Sequence, residues 1–215
     1  MINRSGFFSP KWLLSTLLVI GGIYFCFRMG LWQLDRLAQR RIFNDHYLQI
    51  VEQPELMLEK LLPDNLSSME YRTVSASGKF DFGQNMVRRN QYHDGQPGFS
   101  LITPLILTDG EAILVERGWI PAEGNEKPED WHKYDVNGFQ TIKGVLRLGQ
   151  SESEFGGVAD SNLSDGQTRL NYWNQVNLEM MAKQLPYKIA PAFIQPSADP
   201  TNLTPPLPTQ AIVEI

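Results

Sequence analysis

Cysteine is almost missing from this sequence. Cys26 is the sole example in 215 residues, which excludes an intramolecular disulfide, a CxxC redox pair and a cysteine-based zinc site. Histidine is scarce as well. His46, His93 and His132 share no ligand spacing such as HxxxH, so each reads as a surface or loop residue. No GxSxG, HExxH, P-loop or GxGxxG pattern occurs in a usable context. The carboxylate pairs Glu129/Asp130 and Glu152/Glu154 fall in polar loops, whereas a tuned acid–base pair needs one carboxyl in an apolar pocket. The sequence makes no case for an enzyme. Basic charge is also in short supply, with 19 Lys/Arg against 24 Asp/Glu, and this argues against nucleic acid as a partner.

What the chain does have is a run of 16 residues without charge, Trp12 to Phe27, between Lys11 and Arg28. It falls slightly short of the ~20 residues that span a hydrocarbon core. It lengthens if Arg28 snorkels outward, bringing Met29, Leu31 and Trp32 to the interface. The run leads into Tyr24-Phe25-Cys26-Phe27-Arg28, which offers no A-x-A-like cleavage site, so an uncleaved anchor is expected. Charge divides accordingly. Residues 1–51 carry six Lys/Arg and two Asp/Glu, and residues 52–215 thirteen and twenty-two, nets of +4 and −9. The basic part suits membrane lipid with anionic headgroups. Counting flanking charges alone would leave the globular part in the cytoplasm.

The helical pattern continues past the anchor. Leu31, Leu34, Ala38 and Ile42 share one face and Gln33, Arg36, Arg40 and Asn44 the other, which predicts an amphipathic helix reaching Ile50. Packing on its own domain or at headgroups, and facing a partner in the membrane, are both open. The organisation read from the sequence is a tail over 1–11, a transmembrane helix over 12–32, a juxtamembrane helix over 33–52 and a β-rich domain over 53–215.

Within that domain, Pro54 and Pro63 bracket an expected short helix, Glu55 to Leu62. Alternation over Thr73–Asp81 predicts a half-buried strand, and Met86–Tyr92 returns after Gly83. Phe99–Leu107 and Ala112–Ile120 flank Asp109-Gly110 and predict an antiparallel hairpin. Ala112–Val115 is apolar on both faces and should be central. A loop over Pro121–Gly138, a strand over Phe139–Leu148, a glycine-rich loop over Ser151–Thr168 and an extended Leu170–Val176 follow. Asn177 should cap a short helix presenting Leu178, Met181 and Leu185 and ended by Pro186. Seven of the 14 prolines fall between Pro186 and Pro208, which predicts an irregular stretch. The expected fold is mainly β (α+β), an antiparallel barrel-like or curled sheet with short helices on an N-terminal transmembrane helix. A doubly wound α/β fold is excluded by the lack of alternating long helices.

Two sites carry chemistry suited to recognition. Arg88-Arg89-Asn90 sets paired guanidiniums on a strand, fit for a carboxylate-bearing partner or a lipid phosphate. Arg117-Gly118-Trp119 lies at the exit of the central strand, where glycine admits another backbone and arginine can stack on a ring. Local Arg–Trp packing and direct contact with a partner are both open there.

The ordered segments GLWQLDR (30–36), YRTVSASGKFD (71–81), PGFSLITPL (97–105), LVERGWIP (114–121), GVLR (144–147) and YWNQVNLEMMAKQL (172–185) resemble the Surfeit locus protein family. The resemblance implies an assembly factor for cytochrome c oxidase, a chaperone aiding haem a delivery to the catalytic subunit or its stabilisation there. Its partners would be that subunit and other oxidase assembly factors, and a bacterial member would sit in the inner membrane with its domain in the periplasm. Trp32 and the face of Leu31, Leu34 and Ala38 would line a haem a pocket at membrane depth. The chain departs from the pattern twice. Glu116 stands where the family usually has asparagine, and the segment Ala211–Ile215 is followed by no second helix carrying the expected axial histidine. Either such a helix follows Ile215, or this chain does not ligate haem as its relatives would; both are open. A membrane-anchored scaffold or sensor domain unrelated to haem is the alternative reading.

Overall fold

The computed structural model describes residues 10–58, 66–150, 169–198 and 204–208. Contacts divide the chain into two compact units, Met1–Gln49 and Ile50–Ile215. The first is formed by α1, which runs unbroken over Pro10–Val51. It contains the apolar run, has a stretch of mean hydropathy 1.7 of which none is buried, and is long and apolar enough to cross a membrane. The two aliphatic hydroxyls inside that run bond back to the helix: Ser15 Oγ donates to the Lys11 carbonyl and Thr16 Oγ1 to that of Trp12, both at 3.0 Å. Neither is left unsatisfied in an apolar surrounding.

The second unit follows the order β1 (Leu56–Leu58), β2 (Thr73–Phe80), β3 (Met86–His93), β4 (Gln96–Ile106), β5 (Ala112–Pro121), β6 (Phe139–Leu148), β7 (Tyr172–Trp173), α2 (Leu178–Ala182) and β8 (Ile189–Pro196). All eight strands join one sheet in the order β1-β2-β6-β8-β5-β4-β3-β7, and β2 also bonds β4. That last pairing closes β2, β6, β8, β5 and β4 into a five-stranded barrel. Five strands wound this way make a small Greek-key barrel of the kind seen in OB domains.

Closure rests on two residue pairs, Lys79↔Ile106 and Phe80↔Leu105. The chains approach so closely that a Cβ on Gly78 would lie 2.2 Å from the Ile106 carbonyl oxygen. Inside the barrel, Val74, Ala76, Phe80, Leu105, Ile113, Val115, Leu146 and Ile194 pack together. On the outer face Ile102, Ala112, Leu114 and Phe193 pack under Trp173, Leu178 and Met181. β5 is therefore apolar on both sides because it is covered on both sides.

The expected hairpin is present. β4 and β5 are antiparallel, and Gly110 takes a positive φ of 85° in the connection. A second tight hairpin joins β3 to β4 through Asp94-Gly95, both at positive φ (48° and 76°), the backbone that a two-residue turn requires. Asn177 caps α2 as expected, its Oδ1 accepting from the Met180 N–H at 3.1 Å.

Four expectations need correction. The helix expected over Glu55–Leu62 begins as a strand: β1 adds parallel to β2, with Leu58 buried and Met57 exposed in the alternation of an edge strand. Residues 59–62 lie outside the described residues. The stretch from Pro186 is not irregular throughout, because Ile189–Pro196 is the barrel strand β8. Pro191 falls at the irregularity between β8 and β5, and β6 begins its pairing only at Ala192, so the ladder tolerates a residue without N–H there. β8 runs parallel to β5, and β1 and β7 are also parallel to their neighbours, so the pairing is mixed. The loop from Pro121 contains a 3-10 turn over Pro128–Tyr134 that buries Trp131. The loop Ser151–Thr168 and the segment Ala211–Ile215 lie outside the described residues.

Replacing Gly78 by alanine should lower stability by roughly 1–3 kcal/mol through overpacking at the closure. The thermal midpoint of the full chain in detergent reads this, and an unchanged midpoint would show that β2 and β4 do not meet.

Candidate functional site

Three sequence segments distant in the chain converge at one end of the sheet. Arg88 on β3 pairs with Ser100 on β4, and Ser100 with Trp119 on β5, so the three side chains share one face. Glu116 is three residues before Trp119 and would face the other way on a regular strand. It does not, because Ile102 pairs with Glu116 and Leu101 with Gly118, leaving Arg117 as an extra bulged residue.

Glu116 is the centre of the site. Its side chain is 1% exposed. Its Oε1 accepts from Arg88 Nη2 at 2.5 Å and from Ser100 Oγ at 2.6 Å, and its Oε2 accepts from Gln195 Nε2 at 3.1 Å. The donors come from β3, β4 and β8, so four strands are tied through one carboxylate.

Trp119 is buried beside this cluster. A Cβ on Gly98 would lie 2.3 Å from its Nε1, and the His93 ring packs at 5.2 Å between centroids. Its backbone exchanges both hydrogen bonds with Leu207, N to O at 2.7 Å and O from N at 2.9 Å. Gly118 makes that strap possible: its φ is +137°, and a Cβ there would lie 2.4 Å from the Leu207 carbonyl oxygen.

The remaining residues singled out by sequence go elsewhere. Arg117 leaves the Arg88 face and stacks between Phe80 and Phe82, 5.3 Å from each ring centroid, donating from Nη2 to the Tyr134 carbonyl. Burial pushes its guanidinium down to about 10, offset in part by Asp135. Arginine does stack on aromatic rings here, but they are phenylalanines rather than Trp119. Arg89, next to Arg88, makes no ion pair among the described residues, and a strand irregularity with Asn90 at φ 59° follows it. Arg88 and Arg89 therefore do not act as a pair. Trp32 is 51% exposed on α1, with the Arg36 guanidinium 5.6 Å from its ring centroid.

Sequence reasoning passed over Ser100, Gln195 and the role of Glu116. A signal existed for the last, an acidic residue inside an otherwise apolar central strand, which must find donors once buried.

The sequence profile of the SURF1 family matches residues 21–214. The chain belongs to the SURF1 family. An uncharacterized SURF1-like protein of Mycobacterium tuberculosis is 29% identical over 162 residues, covering 73% of this chain and 58% of that protein. Surfeit locus protein 1 of Gallus gallus is 30% identical over 190 residues, 80% of this chain and 57% of that one. The Saccharomyces cerevisiae cytochrome oxidase assembly protein SHY1 is 32% identical over 99 residues, 45% of this chain and 25% of SHY1. This SURF1-family chain thus spans somewhat over half the length of the mycobacterial and chicken relatives.

The described histidines do not fit a haem. His46 is exposed on α1, His93 packs on Trp119 with Asp94 at 3.6 Å, and His132 Nδ1 sits 2.9 Å from Asp135 Oδ2. Among the described residues, none of the three lines the cavity beside α2 or the grooves along α1.

Removing Arg88 should cost about 3 kcal/mol, the low end for a broken buried pair because its own side chain is 26% exposed. Glu116→Asn should cost less, since asparagine keeps an acceptor for Ser100 and frees Arg88 toward water. Urea unfolding of both variants checks the asymmetry, and equal losses would refute it.

Proposed function

We propose that this chain is an assembly factor for cytochrome c oxidase, acting where haem a is delivered to the catalytic subunit or held in it. Haem a is the cargo of that process in this reading, and the chain's own part is non-enzymatic. The observation that carries the proposal is the family match over nearly the whole chain, from within α1 to the last residue but one. A relative named for cytochrome oxidase assembly adds support. The partners are then the catalytic subunit and other oxidase assembly factors. The globular unit works from the periplasmic side of a bacterial inner membrane, held there by α1.

The clustering of RRN, PGFS and ERGW supports a rigid recognition end. Arg89 is the residue most suited to reach a partner's carboxylate or a phosphate. Its neighbour Arg88 is already occupied by Glu116, whereas Arg89 has no ion pair among the described residues.

Deleting the gene should abolish the haem a oxidase bands in reduced-minus-oxidised membrane spectra while other cytochromes persist. Complementation with Arg89→Ala should give normal amounts of the protein and a weakened haem a signal. An unchanged oxidase spectrum in the deletion strain would favour a membrane-anchored scaffold or sensor unrelated to haem.

A further inference from the structure

Some of the basic residues of the globular unit are neutralised by a nearby carboxylate, whereas on α1 none is among the described residues. In the globular unit Arg88, Lys143, Arg147, Lys183 and Lys188 each lie within 4.0 Å of a carboxylate. On α1, Arg36, Arg40 and Arg41 make no ion pair among the described residues, although the helix offers them a carboxylate in Asp35. Asp35 is engaged otherwise, its Oδ2 accepting from Gln39 Nε2 at 3.0 Å. Between Arg28 and Arg41 there are four arginines and one acid, a net of +3. These cations are exposed and outnumber the two acids of their unit, Asp35 and Asp45.

Their depth follows from helix geometry. The charge-free run ends at Phe27, and at ~1.5 Å per residue Trp32 sits roughly 7 Å further along the axis. That is where amphipathic aromatic rings settle, at the boundary between hydrocarbon and headgroups. Arg36 and Arg40 follow at intervals of four on the same helix face, about 6 Å and about 12 Å above Trp32, so Arg36 lies in the headgroup layer and Arg40 just outside it, where its long side chain reaches back to the phosphates. Trp32, Asp35, Arg36, Gln39, Arg40 and Phe43 line a shallow groove of about 400 Å³. Arg36 is already oriented along it, its guanidinium 5.6 Å from the Trp32 ring centroid. A stacked guanidinium presents its N–H edges outward, the geometry that binds phosphate oxygens in pairs.

We infer that Trp32, Arg36 and Arg40 form a binding site for the phosphate headgroup of an anionic phospholipid, with Trp32 fixing its depth. The occupant is a lipid because the site lies at the level to which the apolar run brings it, and because its charge opposes that of the lipid. This goes beyond the role in oxidase assembly and does not depend on it.

The full chain, with Trp12 replaced by phenylalanine, is reconstituted in vesicles of brominated phosphatidylcholine. The other tryptophans, Trp119, Trp131 and Trp173, are buried in the globular unit at 4% exposure or less, so lipid-borne bromine quenches Trp32. Unbrominated phosphatidylglycerol is then exchanged in, against unbrominated phosphatidylcholine as reference. Phosphatidylglycerol should relieve quenching beyond its mole fraction, with a preference of about fivefold for each arginine engaged. Arg36→Gln/Arg40→Gln should bring the preference near one, and Arg36→Lys/Arg40→Lys should keep it well above one. A preference of one in the parent protein, or one unchanged in the glutamine variant, overturns the site. So does its loss in the lysine variant. A preference of one accompanied by loss of the oxidase signal in the glutamine variant would assign these arginines to an acidic protein instead.

Discussion

Taking a carboxylate out of water is costly unless every lone pair finds a donor, and Glu116 meets that demand with groups from three other strands. The requirement constrains far more than one side chain. A slip of one residue in β3, β4 or β8 would carry Arg88, Ser100 or Gln195 to the opposite face and leave the carboxylate short of partners. The relative register of four strands is thus set at a point where apolar packing would tolerate alternatives. The bulge at Arg117 belongs to the same arrangement: without the extra residue, Glu116 and Trp119 would face apart. Glu-Arg-Gly-Trp is therefore one physical unit, an acid to be satisfied, a bulge, a glycine in left-handed backbone and a ring that closes over the end.

In OB-type barrels the second and third strands offer the face on which extended ligands lie. The corresponding strands here are β4 and β5, and their outer face is not open. Trp173, Leu178 and Met181 cover Ile102, Ala112 and Leu114, while Arg88 and Trp119 occupy the far end. The covering comes from insertions between barrel strands: β3 between β2 and β4, and β7 with α2 between β6 and β8. A face built for stacking bases has become interior. This accords with an acidic globular part.

Much of this architecture was legible beforehand, where local pattern and tertiary demand agree. β2, β5 and β6 announce themselves by alternation or by continuous apolarity, and Asn177 by its position before an apolar stripe. β8 was hidden because seven prolines in its neighbourhood outweigh a short apolar stretch. Only the three-dimensional ladder reveals that Pro191 falls where an N–H is not needed. β1 is three residues long, too short for any period to register. Of the site, Arg88 and Trp119 were visible as residue types suited to recognition. Their convergence was not, since it arises from register between strands far apart in sequence. That Arg117 can stack on a ring follows from its residue type, yet which rings it meets depends on how Phe80 and Phe82 approach across the barrel.

The strap through Leu207 carries a consequence for how the chain is made. Ribosomes and export machinery release a polypeptide from its N-terminus, and β5 is complete some ninety residues before Leu207, which bonds the Trp119 backbone. Until that segment emerges, Trp119 lacks both main-chain partners on that side, and until β8 emerges the barrel has a gap between β5 and β6. Because distant pairings are won only after long loops have been ordered, such a topology matures late. The nascent domain must wait as an open curl with apolar Ile113, Leu114 and Val115 along an unpaired edge. α1, long and apolar enough to cross a membrane, is complete before any of these strands, so the waiting edge is already joined to a helix able to enter a bilayer, and that edge is the surface a second chain could pair with.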